Sequence, residues 1–378
     1  MPDDAIPPKP LTYHAFALWR FLAALIIMFY HFVHLSDDWR TWVPWLENML
    51  PLLDLFFMVS GFLIYERYQS RLGNMKSFMV FLYKRLARLY PLHLITTLFF
   101  VALGVVWEAG LIRAENGPVL FDWSALPANF LLLQAWGTTE WLSFNFPSWS
   151  LSAEWLCYLL MPLVVLVATR SGIAGLIFGA VLAYMIALFV IAQGWSPAQS
   201  VAEMKNWGAF RAVGSFFIGA ALVRIVHLTT FKMGSHLAGQ ISMAFTVWLM
   251  FQPAAYGLVL TALAATLWLA ALAERDNPHG MAWMRPGLPV LAVSFGIYLW
   301  HPVLEAIYLK GIWRIIEPIV DFRIDWLFIP AAISTIVVAL VSHVLFEKPI
   351  GDWLIDRLHG RKIRHALAAR SALMEGGR

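Results

Sequence analysis

Apolar runs recur along the whole chain at 14–34, 49–66, 91–108, 149–169, 173–193, 208–228, 237–252, 254–273, 289–309 and 326–346. A helix of about 20 apolar residues crosses about 30 Å of hydrocarbon. The pattern therefore predicts an all-α fold, a polytopic membrane helix bundle of about ten transmembrane helices. A shorter apolar piece, 125–136, carries Pro127 near its start. As a helix it would rise only about 18 Å, too little to span, so it is expected to be re-entrant or interfacial.

Composition strengthens this reading. The chain is 60% apolar and only 13% charged, with 19 Trp and 27 Phe, more than one soluble core of this length can hide. One membrane domain over 1–378 with no fused soluble domain is expected. The run 21–33 could pass for a secretory signal, but no small-x-small pattern follows it and His31 and His34 interrupt its end, so it reads as the first retained helix.

Charge orients the spans. With ten crossings and a cytosolic N-terminus 1–13, most of the 27 Lys and Arg fall on the side that also holds the basic tail 347–378. If 125–136 crossed as well, the larger share would fall outside. The positive-inside rule favours both termini in the cytosol of a bacterial inner membrane. A net charge of +4 concentrated in loops and tail suits contact with membrane lipid and gives no reason to expect nucleic acid. Cys157 is the single cysteine, so neither an intramolecular disulfide nor a Cys-based metal site is expected, and the reading includes no metal. No internal repeat or Gly-rich nucleotide loop is evident.

Ionisable groups inside spans cost roughly 2.5–3.5 kcal/mol each on insertion scales, which makes them functional candidates. Arg20 and His31 are eleven residues apart, about 20° of residual rotation and about 16 Å of rise on a helix. They share one face at two depths, although Arg20 could also snorkel to the interface and His31 could be structural. The second span runs from Asp54 to Ser60-Gly61-Phe62. At that depth Asp54 could reach His31 and fix its tautomer. Gly61 permits close approach of another helix or of a narrow ligand chain.

Arg85 and Arg88 lie at i, i+3 just before a span, as paired forks suited to phosphate oxygens or, alternatively, as anchors to anionic lipid. Ser150 and Glu154 share a face at i, i+4 in the segment that opens Pro147-Ser148-Trp149, where the serines could instead cap the helix. Tyr298 and His301 fall within the ninth span, where a structural hydrogen bond competes with catalysis as the role of His301.

Taken in order, these motifs resemble the acyltransferase 3 family of membrane acyltransferases. The Arg20-x10-His31 spacing, Asp54 to Phe62, Arg85-x-x-Arg88 with Pro91, Trp149-Ser150-Leu151-x-x-Glu154, Tyr298-x-x-His301 and Glu347-Lys348-Pro349 carry the resemblance across most of the chain. It implies an O-acyltransferase, a transferase of acyl groups other than aminoacyl. The acyl group would be acetyl, passed from cytosolic acetyl-CoA as co-substrate to a hydroxyl of an exported or lipid-linked glycan such as an exopolysaccharide or lipopolysaccharide. It also implies that His31 is the catalytic histidine and that the cytosolic arginines hold the donor's phosphates. Some members carry an added hydrolase-like domain; here a partner for that step would be a separate protein or unnecessary, and glycan-export machinery is a further expected partner.

The expected mechanism docks the phosphates on Arg85 and Arg88 and passes the pantetheine arm by Arg20 and Ser60. His31, oriented by Asp54, then takes the acceptor's proton, with Glu154 catalytic beside them. Trp149, Ser150, Tyr298 and His301 would line the acceptor's place. A secondary transporter or flippase for a glycan precursor is the alternative, since it too needs intramembrane ionisable groups, but paired broken spans are not evident.

Overall fold

The computed structural model describes residues 13–114, 116–358 and 360. The stretch before Tyr13 and the tail beyond Gly360, where part of the expected N-terminal segment and basic tail fall, lie outside the described residues. Among the described residues every regular element is helical.

Among these residues eight stretches are long and apolar enough to cross a membrane, and Leu237–Met250 is a shorter apolar helix. The elements that matter below are α1 (His14–Val33), α2 (Trp39–Glu47), α3 (Leu52–Tyr68), α4 (Met75–Glu108), α5 (Trp149–Leu159) and α6 (Met161–Ala192). They continue with α7 (Gly208–Leu228), α8 (Leu237–Met250), α9 (Tyr256–Asp276), α10 (Ser294–Glu305) and α11 (Phe328–Ser342). We refer to the end of the bundle holding Tyr13 and Tyr68 as the Tyr13 end, and to the end holding His34 and Trp149 as the His34 end.

Two breaks shape α5 and α6. Pro162 lacks the N–H that would reach the Tyr158 carbonyl, and the helix is interrupted at Leu160. Gly172 then takes φ +62°, a conformation that suits glycine, and reverses the chain. On the first arm Trp149 packs over Gly208 and the Ala168 carbonyl accepts from Arg224 at 2.7 Å; on the second, Gly179 meets Phe217 and Gly214 meets Tyr184. The two arms therefore run in opposite directions along α7. Dividing Met161–Ala192 at Gly172, and adding α8, turns the eight long stretches into the ten passes expected from the sequence.

Closest packing joins α3 to α7. A Cβ on Gly61 would lie 2.1 Å from the Phe216 carbonyl oxygen, and one on Gly219 would lie 2.0 Å from that of Met58. Backbone meets backbone there, so Gly61 serves a neighbouring helix and not a ligand chain.

The first helix is pinned at its start by a distant carboxylate. Tyr13 supplies no side-chain cap. Instead the His14 N–H donates to Glu274 Oε1 at 2.7 Å and the Ala15 N–H at 3.4 Å, while the Tyr13 hydroxyl donates to Glu66 at 2.6 Å. Glu274 is fully buried on α9 and complements the amino-terminal partial charge of α1.

The piece 125–136 does not span. One helical turn, Leu126–Phe130, leads into irregular backbone with Leu132 at φ +58°. Its polar groups are met by side chains: Tyr90 donates to the Phe130 carbonyl at 3.1 Å, Ser152 donates to the Leu132 carbonyl at 2.8 Å and accepts from the Ala135 N–H at 3.1 Å. Irregular backbone survives within such a bundle only where protein satisfies it in this way.

Candidate active site

A line of polar side chains runs through the interior from one end of the bundle to the other. At the Tyr13 end, Arg85 on α4 sits with its guanidinium carbon 5.6 Å from the Tyr68 ring centre and 6.0 Å from that of Tyr158. One of its terminal nitrogens donates to the Tyr68 hydroxyl at 3.4 Å, while its Nε is buried without an acceptor among the described residues. Arg88 is exposed one turn further along and interacts electrostatically with Arg85, Arg20, Tyr158 and Glu154. Pro91 frees the Ala87 carbonyl between the two arginines, and Gly351 packs against that oxygen.

Glu154 on α5 stands next in line. Its Oε1 accepts from Ser60 at 2.6 Å and from Tyr158 at 2.5 Å. Tyr158 lies at i+4 from Glu154, a partner that helical spacing alone could have named.

Glu154 and Arg20 face a narrow cavity of about 50 Å³, lined also by Ser150, Tyr298, Phe56 and Leu53. The guanidinium carbon of Arg20 lies 5.7 Å from the Phe56 ring centre, and its Nε is a second buried donor without an acceptor among the described residues. The guanidiniums of Arg20 and Arg85 thus gather near Glu154 inside the bundle, where uncompensated cations are expensive, and Arg88 joins them from the exposed side with Glu347 also in its reach. Such a set can hold an anionic ligand.

The line ends at two histidines. His31 and His301 stack with ring centres 5.2 Å apart and planes 14° apart, and Phe146 meets His31 edge-on at 4.8 Å. The Tyr298 ring lies 5.8 Å from that of His301 and so joins the cavity to the pair. The His31 ring makes no hydrogen bond among the described residues, whereas His301 is fully buried with its ring against the backbone of Ile297 and Tyr298 and no well-aligned partner for either ring nitrogen among those residues. Pro302 removes the N–H that would close the helix on the Tyr298 carbonyl, and the loosened turn carries His301.

Asp54 is elsewhere, and this corrects the expected dyad. Its carboxylate accepts from Arg211 Nε at 3.0 Å, from an Arg211 terminal nitrogen at 2.7 Å, from Ser215 at 2.9 Å and from the Tyr256 hydroxyl. Tyr184 donates to it at a longer 3.4 Å. A carboxylate so enclosed by α6, α7 and α9 has nothing left to offer His31. The expectation that Trp149 lines a substrate site also gives way, because its ring is buried over Gly208 and 6.2 Å from Phe57. Ser150 does face the cavity, with its hydroxyl directed at the Pro147 carbonyl at 3.3 Å.

Arg211 escaped notice although a signal was present. A cation inside a span, with no carboxylate on its own helix, requires a partner on another. Ser215, one turn along, joins the same cluster.

Outside the spans, Lys205 lies with its ammonium 6.0 Å from the ring centre of Tyr30, the residue before His31. Burial there pushes its pKa below the ordinary lysine range, with Glu47 opposing. Among the described residues no group of three or more His, Cys, Asp or Glu converges as a metal site.

Known proteins match over most of the chain. The profile of the acyltransferase 3 family, described as an acyltransferase domain, matches residues 13–354. "Nodulation protein 10" of Rhizobium leguminosarum bv. viciae is 27% identical over 381 aligned positions, covering 94% of this chain and 95% of that protein. "Acyltransferase MdmB" of Streptomyces mycarofaciens is 35% identical over 113 positions, 29% of this chain and 27% of that protein. No solved structure matches significantly.

Proposed function

The chain belongs to the acyltransferase 3 family, and from that premise we propose that this membrane acyltransferase moves an acetyl group from acetyl-CoA to a hydroxyl of an exported or lipid-linked glycan. The observation that carries the reading is the interior polar line from Arg88 and Arg85, past Glu154, Ser60 and Arg20, to the stacked imidazoles of His31 and His301.

In this reading the Tyr13 end faces the cytosol of a bacterial inner membrane, and the donor's phosphates meet the guanidiniums there. Two buried Nε–H groups without acceptors support an anion at Arg20 and Arg85, since leaving such donors empty costs about 1–3 kcal/mol each. The acetyl thioester extends along the cavity beside Tyr298 and Ser150. The acceptor hydroxyl arrives from the His34 end.

His31 takes the hydroxyl proton as the oxygen attacks the thioester carbonyl, the carbon–sulfur bond breaks, and the proton passes to the departing thiolate of CoA. The products are the ester and free CoA. With Asp54 committed to Arg211, the imidazole works without a carboxylate behind it, and its neighbour is His301. The His301 ring, stacked on that of His31, is suited to orient the hydroxyl or a water in contact with it. Glu154 belongs to the donor's path and holds Ser60 and Tyr158 in place.

The test is the purified full-length protein in nanodiscs with acetyl-CoA labelled in the acetyl group, scored for label on added glycan and for free CoA. His31→Ala is the control. Unaltered acetyl-CoA throughout, with movement of a lipid-linked sugar between leaflets, would replace this reading by the transporter.

A further inference from the structure

At the His34 end, away from the polar line, the turn 137–141 and the segment 194–207 enclose an open cleft of about 390 Å³. We propose that this cleft binds an uncharged saccharide portion of the acceptor; the assignment rests on the transferase reading above for its place in the reaction.

Its walls suit a sugar. Trp141, Trp195 and Trp207 contribute aromatic rings, and Thr138, Glu140 and Asn206 contribute polar groups around them. The volume falls within the roughly 300–1,000 Å³ of small-molecule sites. Aromatic faces carry negative quadrupole charge and attract the slightly positive C–H faces of a pyranose, while the polar rim meets its hydroxyls. Glu140 is a carboxylate on that rim, which disfavours acidic sugars.

The platforms are fixed in advance. The Trp207 indole N–H donates to the Trp195 carbonyl at 3.1 Å, and the two rings lie 6.0 Å apart at 31°. Gly137, at φ +77°, lets the Trp207 ring lie against the backbone, where a Cβ would come within 2.3 Å of it. The Asn206 amide donates to the carbonyls of Thr139 and Glu140 at 3.3 and 2.5 Å. That locks the turn to the segment and leaves Oδ1 without a partner among the described residues, free to accept from a sugar hydroxyl.

Continuity of the chain ties the cleft to the reaction. Asn206 and Trp207 line the cleft, and the adjoining Lys205 reaches the Tyr30 ring next to His31. A glycan seated on the tryptophans can therefore extend along this segment toward the histidine pair. Exposed tryptophans at a bilayer surface also form lipid-facing belts. A concave setting with a locked asparagine is what sets these apart.

The experiment measures binding of cellotetraose, maltotetraose and tetragalacturonate to the full-length protein in nanodiscs by saturation-transfer NMR. Trp141→Ala and Trp195→Ala are compared with wild type, because both rings are exposed; the Trp195 ring also meets Phe189 and Trp207, so the melt of each variant is compared with wild type. We expect saturable binding of at least one neutral tetrasaccharide, weakened about tenfold by each substitution and partly restored by Trp195→Phe, with tetragalacturonate the weakest ligand. Binding of acetyl-CoA, followed in parallel, should not change in either variant. Absence of saturable binding by both neutral tetrasaccharides overturns the proposal. So does unchanged sugar affinity in both variants with altered lipid association, which would make these residues an aromatic belt. If wild-type protein bound tetrasaccharide but not acetyl-CoA, the transferase reading would fall while the cleft stood as a saccharide site.

Discussion

The Arg211 guanidinium closes on the Asp54 carboxylate at 2.7 Å, with both side chains fully buried between α3 and α7. Five further groups, Ser215, Tyr184, Tyr256 and the carbonyls of Leu50 and Ala202, complete the hydrogen bonds of the pair. Breaking one partner of such a pair strands a charge and typically costs about 3–5 kcal/mol. Asp54→Asn should therefore lower the melting temperature in detergent and the yield of inserted protein. The paired replacement Asp54→Leu with Arg211→Met should recover much of that stability, because well-packed apolar residues often match a buried ion pair. A melt unchanged by Asp54→Asn would remove the structural role given to the pair.

The same geometry separates Asp54 from His31 in function. Transfer rates of Asp54→Asn, of His31→Ala and of the double variant, each normalised to folded protein, should combine multiplicatively, as for sites that share no partner. Coupling of the two losses would restore the dyad.

His31 and His301 should behave in the opposite way. Removing His31 is expected to lower turnover by about 10²–10⁴ while acetyl-CoA binding persists, the usual contribution of a positioned base. His301→Ala should also lower turnover, and adding it to His31→Ala should make little further difference, since groups acting as one unit are not additive. Full activity in His301→Ala would reduce that residue to packing.

The ten passes and the non-spanning piece were legible because apolar run length and positive-charge asymmetry are properties of the chain itself. Pairings between helices were not. Depth arguments put Asp54 near His31, but rotation about the helix axis decides which neighbour a carboxylate faces, and α3 turns Asp54 toward α7. Gly61 and Gly219 set that rotation by letting the two backbones meet. Glu154 with Tyr158, spaced one turn apart on one helix, was open to local reasoning; the stacking of His31 on His301, 270 residues later, required the fold.

Gly61→Ala tests that packing directly. The added methyl would lie 2.1 Å from the Phe216 carbonyl oxygen, which cannot swing aside as a side chain could. Overpacking typically costs about 1–3 kcal/mol, so α3 and α7 should part and the melt should fall. Gly73→Ala, which meets nothing within 4 Å, is the control. Equal melts for the two variants would mean that the helices are not in backbone contact.

The arginines at the Tyr13 end allow a test that separates recognition from architecture. Arg85→Ala and Arg88→Ala should raise the Michaelis constant for acetyl-CoA by the equivalent of about 1.5–3 kcal/mol for each charge-assisted hydrogen bond removed, and Lys should restore only part of it because it lacks the planar fork. Acetylpantetheine carries the thioester without the nucleotide and its phosphates. Its use by wild-type protein should be poor, and the arginine substitutions should leave that poor rate almost unchanged, whereas His31→Ala should abolish it. The contrast follows from position: Arg88 lies exposed at one end of the polar line, and the histidines lie at the other. If the arginine variants lost activity equally with both donors, Arg85 and Arg88 would be holding α4 in place through Tyr68 and Tyr158, and phosphate recognition would have to be sought elsewhere.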